Sequence, residues 1–229
     1  MDFSIILPAY NEGANLPSLL PDIKTNLNRL GINYEIVLVD NGSTDNTRSL
    51  LEVLKLEIPQ LKTIRIEQNI GFGNGILQGL AVSAGEILGF MDADGQIAAR
   101  YLVEAYQQLK KENLDLCKGK RISRNDGYLR RLASKIYNRF FKIMFGGNFR
   151  DIGAKPKVFT RQLYEDIEPI SKDWFLDTEI MLKIIKKKYK VGEFPITFPA
   201  RLKGKSKVRL STLIEFLKNM FYWRFFAKY

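Results

Sequence analysis

The sequence predicts a three-layer α/β domain built on a mostly parallel sheet. Three observations carry that expectation. Short apolar runs alternate with stretches of helical periodicity, the connections between them are short, and the early apolar runs end abruptly in polar or turn-forming residues.

Taken in order, FSIIL (residues 3–7) is a short apolar run ended by Pro8, the pattern of a buried strand feeding a loop. Residues 16–30 place apolar side chains at helical spacing. YEIVLV (34–39) is a second buried strand, stopped by Asp40, Asn41, Gly42 and Ser43. Thr44 or Asp45 is placed to cap the next helix, which runs to about Leu56. KTIRIE (62–67) alternates as a third strand, 74–84 reads as a helix, 87–91 as a fourth strand and 100–112 as a further helix. In open parallel sheets, ligands lie beyond the carboxyl ends of the strands. Residues 8–12, 40–43 and 92–96 are therefore expected to converge on one edge.

The second half is less regular. Residues 127–146 (GYLRRLASKIYNRFFKIMFG) are amphipathic: Leu129, Leu132, Ala133, Ile136, Tyr137, Phe140, Phe141 and Met144 step by three and four, with Arg131, Lys135, Arg139 and Lys142 opposite. Such a helix either lies in a membrane interface or packs its stripe on the core. A helix over about 177–189 and a short strand at 196–199 follow, then the basic run RLKGKSKVR (201–209). The terminal segment holds Phe216, Phe221, Tyr222, Trp223, Phe225 and Phe226, more aromatic surface than a solvated helix carries. The expected organisation is one domain over 1–210, with halves 1–116 and 117–210, and an appended aromatic and basic helix over 211–229.

Composition narrows the chemistry. The 229 residues contain no histidine, which removes imidazole acid–base catalysis, Ser-His and Cys-His nucleophile pairs and His-ligated zinc. The single cysteine, Cys117, permits no intrachain disulfide and is expected as a small buried hydrophobe. Charge is segregated: residues 1–116 hold 9 Lys/Arg and 15 Asp/Glu, residues 117–229 hold 27 and 10. The basic residues accompany an apolar stripe rather than a nucleic-acid reading module, so no nucleic-acid partner is expected. There is no basic leader and no run of about 18 apolar residues, which predicts a cytoplasmic protein, either soluble or, through the amphipathic basic helix, peripheral on the cytoplasmic face of a membrane.

The segment GEILGFMDADGQ (85–96) drives a greasy strand into Asp92 and Asp94, one residue apart. Two carboxylates at i and i+2 past a strand suit a hard, oxygen-loving cation such as Mg²⁺ or Mn²⁺, with Gln96 as a further ligand, or they merely occupy a polar turn.

PAYNE (8–12), VDNGSTDNT (39–47), NIGFGNGILQGLAVSAGE (69–86) and DADGQ (92–96) occur in this order. Together they resemble the inverting glycosyltransferases of family 2, whose fold is the GT-A nucleotide-sugar domain. The later stretches DIGAKPKVF (151–159), WFLDTEIML (174–182) and RLKGKSKV (201–208) resemble motifs of the polyprenyl-phosphate glycosyltransferases, the dolichol-phosphate mannose synthases among them. The resemblance implies that Pro8, Ala9, Tyr10 and Glu12 line a nucleoside pocket, that Asp40 hydrogen-bonds the base, and that Asp92, Ala93 and Asp94 meet the nucleotide sugar and its metal. Asn41 stands where the family usually has a second Asp. Arg121, Asp151, Lys157, Arg201, Lys205, Ser206 and Lys207 would reach phosphate or acceptor. Asp177 would act near the acceptor, as a base or an orienting group, or serve only as a helix N-cap with Glu179 in the first turn. The glycines of 69–85 fit neither phosphate-loop pattern and are expected to permit close helix–sheet packing.

The implied reaction is an in-line displacement at the anomeric carbon of a UDP- or GDP-sugar, with a polyprenyl phosphate as the acceptor at an anionic membrane surface. A soluble saccharide or protein hydroxyl is the rival acceptor. A non-catalytic nucleotide-sugar-binding or scaffold protein is the rival class.

Overall fold

The structure, a computed structural model, describes residues 1–124, 128–199 and 210–227, apart from the side chains of 123–131, 133 and 210–215. Strand alternation builds two cores from one sheet. On β1 (Phe3–Ala9), Phe3, Ile5 and Leu7 enter one core and Ile6 the other. On β2 (Tyr34–Asn41), Ile36 and Leu38 join the first core, Val37 and Val39 the second. Every residue of both strands is buried, as period-2 side chains must be when helices cover both faces.

The first core is closed by α1 (Leu16–Asn28), α2 (Thr47–Glu57) and α4 (Arg100–Lys111). Against the other face lie α3 (Phe72–Val82), α5 (Tyr128–Phe145), α6 (Arg161–Ile167), α7 (Leu176–Lys187) and α8 (Leu210–Phe225). With β3 (Leu61–Ile66), β4 (Ile87–Phe90), β5 (Leu116–Arg124), β6 (Lys157–Thr160) and β7 (Val191–Phe198), the sheet runs in the order β3-β2-β1-β4-β6-β5-β7. Only β6 is antiparallel to its neighbours. It therefore begins at the edge where the other strands end, and delivers its first residue, Lys157, to that edge.

The elements expected in the first half are present. The helix after β2 starts at Thr47, with Asn46 at the cap position making no side-chain cap bond. Asp45, one residue outside, accepts from the Thr47 N–H at 3.0 Å and from its hydroxyl at 2.5 Å. Unexpected are β5, β6 and α6. Cys117 lies buried on β5, and burial pushes its thiol up to about 12.

The two helices expected at an interface both have two-sided fates. On α5, Phe141 is buried, and Tyr137 meets Phe216 of α8 at 5.0 Å between ring centroids. Leu132, Ile136, Phe140 and Ile143 stay exposed on one face. On α8, Met220 and Trp223 are buried, while Leu217, Phe221, Tyr222 and Phe225, with Phe226 just beyond the helix, face outward. Among the described residues no helix is long and apolar enough to cross a membrane.

Candidate active site

The loops that leave β1 and β2 are stitched to each other. Asn11 sits at φ 54°, a left-handed conformation that Asn tolerates better than most residues. Its side-chain oxygen there accepts from the Thr44 N–H at 2.8 Å, and its own N–H donates to the Ser43 hydroxyl at 2.9 Å. Gly42, at φ 76°, lies so near the chain that follows β3 that a Cβ would stand 2.8 Å from the Asn69 nitrogen. Only glycine meets both demands.

Around this junction sit the residues expected to hold a nucleoside. Pro8 and Ala9 are buried, Pro8 packing toward Gly75 of α3. Tyr10 is half-buried. Glu12 is buried, and its carboxylate accepts from the Asn15 side chain at 2.7 Å. Asp40 registers beside Ala9 on one side and Arg65 on the other. Its two oxygens accept from the Ser43 N–H at 2.9 Å and the Arg65 guanidinium at 2.7 Å. Any base contact by Asp40 would be shared with Arg65, a residue that sequence reasoning missed. Asn41 donates to the carbonyl of Gly71 at 3.0 Å and so pins the start of α3.

The glycine-rich segment makes contacts of backbone type. The N–H groups of Gly73 and Asn74 donate to the carbonyls of Asp173 and Lys172, at 3.2 and 2.8 Å. Those donors at the start of α3 serve the protein itself and not a phosphate. A Cβ at Gly79 would stand 2.5 Å from the Ile6 side chain, the close helix–sheet approach expected from the sequence.

After β4, Met91 donates its N–H to Ile6 and is buried, Asp92 is half-buried, Ala93 is buried and Asp94 is half-buried. The chain bends over Ala93, Asp94 and Gly95, and the Asp94 charge acts on Asp92. The two acids are thus half-exposed neighbours in one turn, and buried Ala93 anchors it. Asp94 accepts from the Gln96 N–H at 3.0 Å, and the Gln96 amide donates to the Pro199 carbonyl at 2.9 Å, tying this turn to the end of β7.

Opposite the acids lies a row of buried lysines. Lys157 of β6 pairs with Lys118 of β5, and Lys118 with Glu193 of β7, directly across the strands. Like charges facing across a sheet repel, and here each cation has its own anion. Lys118 bonds Glu193 at 2.6 Å and the Asp151 carbonyl at 2.7 Å, whereas Lys157 bonds Asp177. Lys155 joins the cluster, 3.0 Å from Asp177 Oδ2 and 3.5 Å from Asp92 Oδ1, with its ammonium 4.5 Å from the ring centre of Phe72. That ring is stacked on Trp174 at 4.4 Å.

Charge and burial compete throughout this cluster. Burial lifts the Asp92 carboxyl above its usual range; Lys155 opposes this, and the Asp94 and Asp177 charges reinforce it. For Asp177 burial pulls upward too, but Lys155 and Lys157 outweigh it and hold the group ionised, below its usual range. Burial brings Lys157 down to about 8, against the pull of Asp177. Asp177 is not the helix cap: Phe175 holds that position, and Asp173 accepts from the Phe175 N–H at 2.8 Å. Glu179 instead anchors the preceding chain by accepting from the N–H groups of Ile170 and Ser171, at 2.9 and 2.7 Å.

Arg121 and Asp151 meet each other. The Arg121 Nε and Nη2 donate to the two oxygens of Asp151, both at 2.6 Å, and the guanidinium lies 5.3 Å from the Phe198 ring centre. Arg201, Lys205, Ser206 and Lys207 lie outside the described residues. Sequence reasoning missed Lys118 and Lys155; the KGKR and AKPK runs were visible, but nothing local marks a lysine as buried.

Among the described residues no three carboxylate or thiolate side chains gather as a ready metal cage. Two neighbouring acids in one half-exposed turn still suit a hard divalent ion that takes its other ligands from a diphosphate and water. The donor set fits.

The profile of glycosyl transferase family 2 matches residues 4–167. The dolichol-phosphate mannosyltransferase of Pyrococcus furiosus is 31% identical over 227 residues, covering 96% of this chain and 63% of that protein. The chain thus spans less than two thirds of that relative's length. Glucosyl-3-phosphoglycerate synthase from Mycobacterium tuberculosis, in complex with Mn²⁺, uridine diphosphate and glucosyl-3-phosphoglycerate, superposes with a TM-score of 0.75 at 18% identity, covering 97% of this chain and 79% of that one. The same enzyme has been solved with Mg²⁺ and uridine diphosphate. TarS of S. aureus, in complex with UDP-GlcNAc, gives 0.64 at 20% identity, over 96% of this chain and 65% of that one. These structures share the GT-A fold expected from the motifs. The chain belongs to glycosyl transferase family 2.

Proposed function

We propose that this family member is an inverting glycosyltransferase that moves a sugar from a nucleoside-diphosphate donor to a polyprenyl phosphate at a membrane surface. The observation that carries this reading is the meeting, at one sheet edge, of the β4 acids with an acid on α7 held between two buried lysines. We assign the donor to the half over 1–116 and the acceptor to 117–210, with 211–229 as an appended membrane-facing helix.

In the proposed step an acceptor phosphate oxygen attacks the anomeric carbon, the bond from that carbon to the diphosphate oxygen breaks, and the nucleoside diphosphate departs from the opposite face. When bound at Asp92 and Asp94, a divalent cation supplies charge neutralisation for the leaving diphosphate. Arg65, Asp40 and the stitched loops after β1 and β2 hold the nucleoside. The lysine row sets a positive potential under the reacting groups. Asp177, kept ionised by Lys155 and Lys157, is a poor proton acceptor and a good orienting group. A phosphate monoester, with a second pKa of about 6, already carries the nucleophilic charge near neutral pH. It requires no base, whereas a hydroxyl acceptor does. The P. furiosus relative's name points the same way.

The membrane reading rests on the outward stripe of Leu132, Ile136, Phe140 and Ile143 on α5 and on the outward aromatics at the C-terminal end of α8. Lys135, Arg139 and Lys142 follow the neighbouring face of α5 and would meet anionic headgroups.

The test is transfer from UDP- and GDP-sugars, with Mn²⁺ or Mg²⁺, to a polyprenyl phosphate in anionic vesicles. Expected are a metal-dependent lipid-linked product from one donor and no product with a soluble sugar acceptor. Transfer to a hydroxyl acceptor in the absence of vesicles overturns the lipid reading.

A further inference from the structure

Lys155 is the residue of the cleft least expected from sequence and most constrained by structure. Its side chain is 6% exposed. The ammonium touches the donor-side acid Asp92 and the acceptor-side acid Asp177, and Phe72, braced by Trp174, closes a third side. Its backbone is equally held: a Cβ on Gly119 would stand 2.6 Å from the Lys155 carbonyl oxygen, so β5 approaches there as only glycine permits. Asp177 already has a cation in Lys157, and Lys118 has its own anion in Glu193. Holding Asp177 alone does not require Lys155. What Lys155 adds is the link to Asp92.

We propose that Lys155 is a positioning residue acting through Asp92: its fixed ammonium occupies part of the metal-facing carboxylate, so that a divalent cation binds tightly only together with the donor diphosphate. The inference rests on the metal reading above. A buried positive charge beside Asp92 repels an incoming M²⁺. The negative diphosphate repays that repulsion when it arrives, since charges a few ångströms apart in a partly buried site interact strongly. Metal and nucleotide binding are thereby coupled, and the coupling is reciprocal. The same ammonium keeps Asp92 and Asp177 apart in role, one for the donor's metal and one for the acceptor.

The test is titration of the full chain with Mn²⁺, followed by the electron-spin resonance of the free ion, alone and with UDP or GDP. The wild type should bind Mn²⁺ weakly alone and more tightly with one nucleotide. Lys155→Gln and Lys155→Met should bind Mn²⁺ alone about tenfold more tightly, lose most of the nucleotide's effect, and lower kcat more than they raise KM. Lys155→Arg, which keeps the charge, should stay near the wild type. A merely structural lysine would leave metal affinity unchanged or weakened in a variant with native circular dichroism, and that result overturns the inference. Absence of Mn²⁺ binding by the wild type under every condition instead sinks the metal reading, and this inference with it. Should neither neutral variant fold, Mg²⁺ titration of the wild type decides: the ammonium resonance of Lys155 should shift with UDP or GDP present, and an unmoved signal counts against the proposal.

Discussion

The two sides of the cleft are held together by different physics. On the donor side, mostly apolar strands end in short loops that are fixed chiefly by hydrogen bonds such as Asn11 to Thr44 and Ser43 to Asp40, with the Arg65–Asp40 ion pair beside them. On the acceptor side, β5, β6 and α7 are fixed by buried ions: Lys118 with Glu193, Lys157 and Lys155 with Asp177, and Arg121 with Asp151. Buried ion pairs contribute little net stability against a well-packed apolar core, but removing one partner leaves a stranded charge at a cost of about 3–5 kcal/mol. Asp94, half-buried in the turn after β4, accepts from the Gln96 N–H of that same turn, whereas Asp177 is the anion between two buried lysines. Equivalent-looking aspartates should therefore fail in different ways.

Asp177→Asn should show the largest effect. It strips the anion from between Lys155 and Lys157, so we expect a loss of about 3–5 kcal/mol in denaturant unfolding together with loss of transfer. Loss of transfer with the unfolding midpoint unmoved would put Asp177 in chemistry alone and erase the contrast. Asp94→Ala should do the opposite, lowering turnover on the order of a hundred- to a thousandfold while the midpoint shifts by less than about 1 kcal/mol. A large drop in stability there would mean that the turn after β4, too, is held by an ion pair.

The same difference decided what the sequence could disclose. The donor side was legible because its signals are local: apolar runs stop at Pro8, at Asp40 and at Asp92, and each stop marks the carboxyl end of a strand. The acceptor side was legible only through motif resemblance, which named Arg121, Asp151, Lys157 and Asp177 but neither Lys118 nor Lys155. Residues 118–121 of β5 carry three cations and a glycine, the opposite of a buried strand's composition, although Lys118 is wholly buried. Such burial is rare, and it depends on Glu193, 75 positions away, which no local pattern reveals. β6 has four residues, and its reversed direction is a property of topology rather than of KVFT. The site followed suit: the acids of 92–94 were readable as a pair, while the bridge from Asp92 through Lys155 to Asp177 appears only once the two halves share an edge.

Lys157 sharpens the comparison through pH. Its folded-state pKa of about 8 lies below the model-peptide value of 10.5. Between those values the unfolded chain binds the extra proton, so stability rises with pH across that window, by up to about 1 kcal/mol per unit. Below about pH 8 the lysine is charged in both states and this contribution disappears. Lys157→Met should flatten the rise in unfolding midpoints measured from pH 7.5 to 10. An unchanged slope in the variant would assign the pH dependence to another group.

The smallest effect is expected where neither mode of support operates. Phe140 and Phe225 are outward on α5 and α8. Their replacement by serine should leave unfolding midpoints and transfer to a short-chain soluble acceptor phosphate nearly unaltered. Each buried aromatic is worth roughly 1.5–3 kcal/mol on removal from water, and partial immersion at an interface realises a fraction of that. Flotation with anionic vesicles should therefore weaken by about tenfold for each substitution. Lys142→Glu, on the adjoining cationic face, should weaken it less in high salt than in low salt, because the headgroup attraction is screened over a Debye length of about 10 Å at 0.1 M ionic strength. If the serine variants float as well as the wild type while Lys142→Glu does not, charge alone holds the protein to vesicles. The exposed apolar faces of the two helices would then require a protein partner and not a lipid surface.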